Sequence, residues 1–146
     1  MIITNIGMKE VYPNLWIGNS FDAKNISVLK EIGIKSVLNV AFDLNDTLPH
    51  DINQVKIGLI DGPGNIIKLF TMAVLALENL LSLGPVLIHC HEGISRSVAV
   101  AAAYVCNKTE YPLERILDQF KAVRPQISPK PAMLGLAQAF LDGVEQ

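Results

Sequence analysis

Four short β-prone runs, Leu15-Trp-Ile, Ser36-Val-Leu-Asn-Val, Val55-Lys-Ile-Gly-Leu and Pro85-Val-Leu-Ile-His, alternate along the chain with segments of helical periodicity. Strands separated by helices pair in parallel, so this alternation constrains the chain to an α/β fold with a central, mostly parallel twisted sheet flanked by helices. At 146 residues the chain is the size of one domain, because domains commonly run to ~100–150 residues. Residues 1–146 therefore read as a single domain, without repeats, low-complexity tracts or a flexible linker.

The first helix is expected over Ala23–Ile32, with Ile26, Leu29 and Ile32 on one face and Gly33 where a left-handed C-terminal residue belongs. A strand over Ser36–Val40 follows, then a loop over residues 41–53 rich in Asp, Asn and Pro, then a strand over Val55–Leu59. After the turn Asp61-Gly-Pro-Gly-Asn65 comes a long helix over Ile66–Ser82, apolar nearly all round and so expected at the centre of the molecule. The strand Pro85–His89 ends in a glycine-containing loop, and an Ala/Val-rich helix is expected from about Ser97 to Asn107. Pro112 and Pro131 mark the first turns of two further helices, where a missing N–H costs nothing.

Half of the residues are hydrophobic and 18% are charged, which excludes intrinsic disorder. Twelve Lys and Arg against 14 Asp and Glu leave a net charge of −2, a balance that does not recommend nucleic acid or an anionic membrane as the main partner. The most apolar stretch, Leu69–Ile88, is interrupted by Glu78, Asn79 and Gly84-Pro85, so no membrane span is expected. The start of the chain lacks the features of a secretory signal, and two cysteines, Cys90 and Cys106, are too few for a disulfide framework. Together these features point to the cytoplasm. The oligomeric state is not legible.

Chemistry is concentrated in Cys90-His-Glu-Gly-Ile-Ser-Arg96. A loop between the C-terminal end of a buried strand and a helix N-terminus gathers unpaired N–H groups and the positive end of a helix dipole, and so wants an anion such as phosphate. Gly93 gives the backbone freedom to curl, and Arg96 offers a planar fork able to hold two phosphoryl oxygens. A cysteine at the mouth of such a loop is expected to react as a thiolate nucleophile.

His89-Cys90-His91-Glu92-Gly93-Ile94-Ser95-Arg96-Ser97 resembles the H-C-x5-R-[S/T] loop of the cysteine-dependent protein tyrosine phosphatases, and its Gly-x-Ser-Arg-Ser ending is most similar to the dual-specificity branch. Leu15-Trp-Ile-Gly, Gly33-Ile-Lys-Ser-Val-Leu-Asn-Val-Ala41, Tyr111-Pro-Leu-Glu-Arg-Ile and Val123-Arg-Pro-Gln-Ile-Ser-Pro129 extend the similarity over most of the chain. The resemblance implies a phosphate loop between the last core strand and a helix. It also implies hydrolysis through a cysteinyl-phosphate intermediate, with Cys90 as nucleophile, Arg96 and the amides of residues 91–96 on the phosphoryl oxygens, and Ser97 assisting the sulfur to leave. Asp61, 29 residues ahead of Cys90, takes the general-acid position, with Asp43, Asp46 and Asp51 as rivals. His89 orients the loop. No metal and no cofactor are implied. The implied substrate is a phosphorylated protein or peptide, bearing phosphotyrosine and also phosphoserine or phosphothreonine.

Three further residues need separate readings. His91 is expected to point outward rather than to pair with Cys90. Cys106 lies about ten helical residues from Arg96, some ~15 Å away, and reads as core. Lys121, Arg124 and Lys130 read as a basic rim or a solvated face. Two positions depart from the family pattern: Glu92 puts a carboxylate in the loop, and Lys130 stands where many relatives carry an Asn that bonds to it. Alternatives are a phosphate-binding module without turnover, a rhodanese-type sulfurtransferase, and a phosphatase acting on RNA 5′-ends, sugars or glucans.

Overall fold

The computed structural model describes residues 7–45, 48–49 and 51–144. Its elements, in chain order, are β1 (Lys9–Tyr12), β2 (Leu15–Gly18), α1 (Ser20–Lys24), α2 (Ile26–Ile32), β3 (Ser36–Ala41), β4 (Asn53–Leu59), α3 (Ile67–Leu81), β5 (Val86–His89), α4 (Arg96–Thr109), α5 (Leu113–Val123) and α6 (Pro131–Leu141). The sheet runs β1-β2-β5-β3-β4. β2, β5, β3 and β4 are parallel to their neighbours, and β1 alone is antiparallel. The α/β architecture read from the sequence is the one observed.

Side chains along a strand alternate between its two faces, and here both faces are covered. Leu38, Val40, Val86 and Ile88 join α3, α4, α5 and α6 in the larger core, whereas Val37 and Leu87 join Met8, Ala23 and Leu29 in a smaller one on the other face. β5, buried at every position, lies in the middle of the sheet. The registers Gly18 with His89 and Asn39 with His89 bring the ends of β2 and β3 alongside the start of the loop at Cys90.

Four details differ from the sequence reading. The helix expected over Ala23–Ile32 is two helices, because Asn25 (φ −84°, ψ 76°) ends α1 and its side chain caps α2 by accepting from Val28 N–H. A capping box at Asn19 and Asp22 starts α1 three residues earlier than expected. β1 was not anticipated; it is a half-exposed edge strand without a clean alternation. The central helix is α4, buried from Arg96 to Cys106, not α3, whose Met72 and Leu75 are half exposed. The small alanines of α4 let α3, α5 and α6 pack around it while it also lies against the sheet.

Candidate active site

The loop that leaves β5 is held from behind, carbonyl by carbonyl. The Cys90 carbonyl oxygen is 3.2 Å from His89 Nδ1, and the His91 carbonyl accepts from Ser20 N–H (3.0 Å). Arg124 donates through Nη2 to the Glu92 carbonyl (3.2 Å) and through Nε to that of Gly93 (2.9 Å). The Ile94 carbonyl accepts from Ser128 N–H (2.8 Å). Buried backbone groups must be paired or offered to a ligand. With five successive carbonyls satisfied outward, and no acceptor among the described residues for the amides of 91–95, those N–H groups are free for an anion. Gly93 makes the curl possible. Its φ is +69°, and a Cβ there would collide with the Gly18 carbonyl and lie 2.8 Å from Arg124 Nη2.

Cys90, Asp61, His91, Glu92, Ile94, Ser95, Arg96, Ser128 and Lys130 line a cleft of about 320 Å³. Cys90 is buried at its floor, with Sγ 3.2 Å from Ser97 Oγ. Arg96, also buried, donates from Nη1 to Asp43 Oδ1 (2.8 Å) and to the Leu59 carbonyl (2.9 Å), while its Nε has no partner among the described residues. A buried guanidinium with one nitrogen pinned and another unpaired is oriented but not saturated. His91 and Glu92 are exposed; His91 Nε2 is 3.2 Å from Asp43 Oδ2 rather than turned to the thiol. Cys106 is buried in α4, and its burial pushes the thiol up to about 11, which leaves it inert at neutral pH.

Asp61 lies in the cleft. Its Oδ1 accepts from Ser95 Oγ (2.7 Å), and its Oδ2 is 3.2 Å from Lys130 Nζ. Of its sequence rivals, Asp51 pairs with Lys30 on the surface, and Asp46 lies outside the described residues. Asp43 is engaged by Arg96, which holds its carboxyl below the ordinary carboxylate value against a smaller opposing effect of burial. A lowered folded-state value means the pair contributes fully above the unfolded value of ~3.9 and is lost only as pH falls through the lowered one. Asp43 is therefore ionised at neutral pH and serves as a partner of arginine. Asp43→Asn is expected to lower kcat/KM on an aryl phosphate about fivefold, since the carboxylate is half exposed and such pairs contribute ~1 kcal/mol; steady-state rates of the two proteins check this.

Arg124 corrects the sequence reading most. Expected on a basic rim or a solvated face, it is 2% exposed and uses three nitrogens on three backbone carbonyls, the third being Gly7 (2.6 Å). Burial lowers its affinity for the proton, with Asp22 and Cys90 acting in the opposite sense. The one signal in the sequence was its place in Val123-Arg-Pro-Gln-Ile-Ser-Pro129, one of the flanks that carried the resemblance. Replacing it with Met strands three carbonyls at a cost of ~1–3 kcal/mol each, partly offset by relief of a buried charge. Arg124→Met is expected to lose ~3 kcal/mol overall, seen in thermal unfolding as a Tm lower by ~10 °C. Lys121 is exposed on α5.

An α/β domain with a cysteine on the floor of an anion-sized, amide-lined cleft is a narrow class of protein. The family model for the dual specificity phosphatase catalytic domain matches residues 15–139, and the chain belongs to that family. It is similar to dual specificity protein phosphatase 15 of Mus musculus, 34% identical over 127 residues that cover 86% of this chain and 54% of that protein. It is also similar to dual specificity protein phosphatase 9 of Homo sapiens, 32% identical over 130 residues, 86% of this chain and 34% of that one. The crystal structure of DUSP15 matches with a TM-score of 0.84 at 30% identity, covering 93% of this chain and 88% of that chain. Human DUSP28 matches in fold, with a TM-score of 0.84 at 22% identity over 94% of each chain. The chain thus spans about half, or a third, of the length of these two curated relatives. Among the described residues no helix is long and apolar enough to cross a membrane.

Proposed function

We propose that this chain is a protein phosphatase that hydrolyses phosphotyrosine, and also phosphoserine or phosphothreonine, through a cysteinyl-phosphate intermediate. The observation that carries this reading is the ring of unpaired amides at 91–95, with the unpaired Arg96 Nε beside them, above Cys90. In the first step the Cys90 thiolate attacks phosphorus, the P–S bond forms and the ester P–O bond breaks. Asp61 gives its proton to the departing oxygen. Charge on the equatorial oxygens is met by the loop amides and Arg96, which in a loose phosphoryl transition state is most of the catalysis a protein can supply. In the second step the Asp61 carboxylate takes a proton from water as its oxygen attacks phosphorus. The P–S bond then breaks, the electron pair returns to sulfur, and inorganic phosphate leaves. Ser97 Oγ, 3.2 Å from Sγ, is placed to donate to the thiolate in both its free and departing forms. His89 supports the loop from the Cys90 carbonyl.

Glu92 lines the cleft but its side chain is exposed, so water screens its charge from a bound dianion, which supports retained activity despite the carboxylate. Two free, buried thiols fit a reducing compartment such as the cytoplasm. The test is a panel of rates on phosphotyrosine and phosphothreonine peptides, a 5′-triphosphorylated RNA and a phosphorylated glucan. Turnover of the peptides above the other two supports the reading. Turnover confined to RNA or glucan moves the substrate class, and tight phosphate binding without any turnover makes the chain a phosphate-binding module.

A further inference from the structure

The turn that carries Asp61 has almost nothing packed on it. A Cβ added at Gly62 or Gly64 would meet no atom within 4 Å, and Ile60 is half exposed. The turn is stiff within itself, because Asn65 Oδ1 accepts from Ile60 N–H (2.8 Å) and its Nδ2 donates to the carbonyls of Ile60 (2.7 Å) and Gly62 (3.2 Å). A stiff turn without packing moves as a unit unless polar contacts fix it to its surroundings. Those contacts come from Ser95 and Lys130. Lys130 Nζ reaches both Asp61 Oδ2 (3.2 Å) and the Asp61 carbonyl (3.1 Å). Its own backbone N–H donates to Ser95 Oγ (3.0 Å), which donates in turn to Asp61 Oδ1 (2.7 Å).

We infer that Lys130 is a positioning residue that latches the Asp61 turn to the phosphate loop, setting where the acid stands relative to Cys90. The inference rests on the phosphatase reading above. It does not place Lys130 on the substrate. An ammonium carries three donors on a four-carbon stem and can hold a carboxylate and a carbonyl of one residue together. An Asn side chain at this position is too short to span that gap, so Lys130→Asn removes the latch while keeping a polar side chain. The Lys130 main chain bonds to Ser95 Oγ of the phosphate loop, which leaves the ammonium for Asp61.

The test compares wild type with Lys130→Met, Lys130→Asn and Lys130→Arg. The side chain is 57% exposed, and Tm values within a few degrees of each other confirm that all four proteins fold. On a phosphotyrosine peptide, whose leaving group needs a proton, K130M and K130N are expected to lose about fivefold in kcat/KM, which reports the first step alone, and K130R to recover most of it. On para-nitrophenyl phosphate, whose leaving group does not need one, all four are expected to agree within about twofold in the same quantity. Equal losses on both substrates, or none on the peptide, overturn the latch. Backbone 15N relaxation supplies a readout that does not need turnover. Order parameters at 61–64 are expected near the rigid value of ~0.85 in wild type and K130R, and lower in K130M and K130N. Identical order parameters in all four overturn the latch even if the wild type is active, whereas an inactive wild type with the expected pattern overturns the phosphatase reading and leaves the latch standing.

Discussion

Cys90→Ser is expected to abolish turnover of every phosphomonoester while the protein still folds and still binds oxyanions. Serine differs from cysteine by one atom, at a position that is 3% exposed and faces Ser97 Oγ at 3.2 Å, so the exchange neither opens a cavity nor adds bulk. What it removes is a nucleophile. Among the described residues no general base is hydrogen-bonded to the position 90 side chain: His89 Nδ1 is at the Cys90 carbonyl and His91 Nε2 at Asp43. A hydroxyl without a base is a weak nucleophile, whereas a thiolate needs none. Loss of a nucleophile that works as part of a unit costs on the order of 10⁴–10⁶ in rate. The anion site is built from backbone amides and Arg96, none of which involves the sulfur, so phosphate or vanadate is expected to bind the variant within a few-fold of wild type. Calorimetric titration beside initial rates on para-nitrophenyl phosphate reads both halves. Retained turnover refutes Cys90 as the nucleophile, and lost turnover with lost anion binding means that the substitution damaged the loop instead.

The contacts that were legible in the sequence are local, and those that were not are long-range. Cys90, Gly93, Arg96 and Ser97 lie within eight residues, so the strand-to-helix turn fixes their relative placement, and the anion site follows from which residue types occupy it. Asp61 was reached only through the resemblance, from its separation from Cys90; in the fold it lies two residues past the end of β4, which is two places from β5 in the sheet. Asp43 was noticed only as a rival acid, because its pairing with Arg96 joins residues 53 apart and no local pattern announces it. Arg124 was misjudged for the same reason: a lone arginine after an amphipathic helix looks like a solvated charge until the fold brings Gly7, Glu92 and Gly93 around it. Misreading α3 as the central helix has a different origin. Apolar content does not separate a helix that lies against one side of the core from one enclosed by it; side-chain size does, and Ala101, Ala102 and Ala103 of α4 are fully buried. The break at Asn25 was readable in principle, since Asn is a favoured N-cap and interrupts the expected helix.

Asp61→Asn is expected to separate substrates by their leaving groups. A phenoxide or alkoxide leaving a phosphoprotein is a strong base and needs a proton in the transition state, whereas para-nitrophenoxide leaves unassisted. General acid catalysis contributes ~10²–10⁴, and in kcat/KM, which reports the first step and not the shared hydrolysis of the cysteinyl-phosphate, the loss is expected in that range on a phosphotyrosine peptide and below about tenfold on para-nitrophenyl phosphate. The substitution is close to isosteric. Asn Oδ1 can still accept from Ser95 Oγ, and Lys130 Nζ keeps the carbonyl of residue 61 (3.1 Å), so the turn retains two of its anchors and a global loss of structure is not expected. Two rival carboxyls among the described residues are engaged elsewhere: Asp43 is bound to Arg96, and Asp51 is paired with Lys30 on the surface. Equal losses on both substrates place Asp61 in positioning rather than proton transfer. No loss on either removes it from the mechanism. The larger loss on the peptide is the outcome that the Ser95, Lys130 and Asp61 contacts support, because they hold a carboxyl in the cleft where the leaving oxygen must pass.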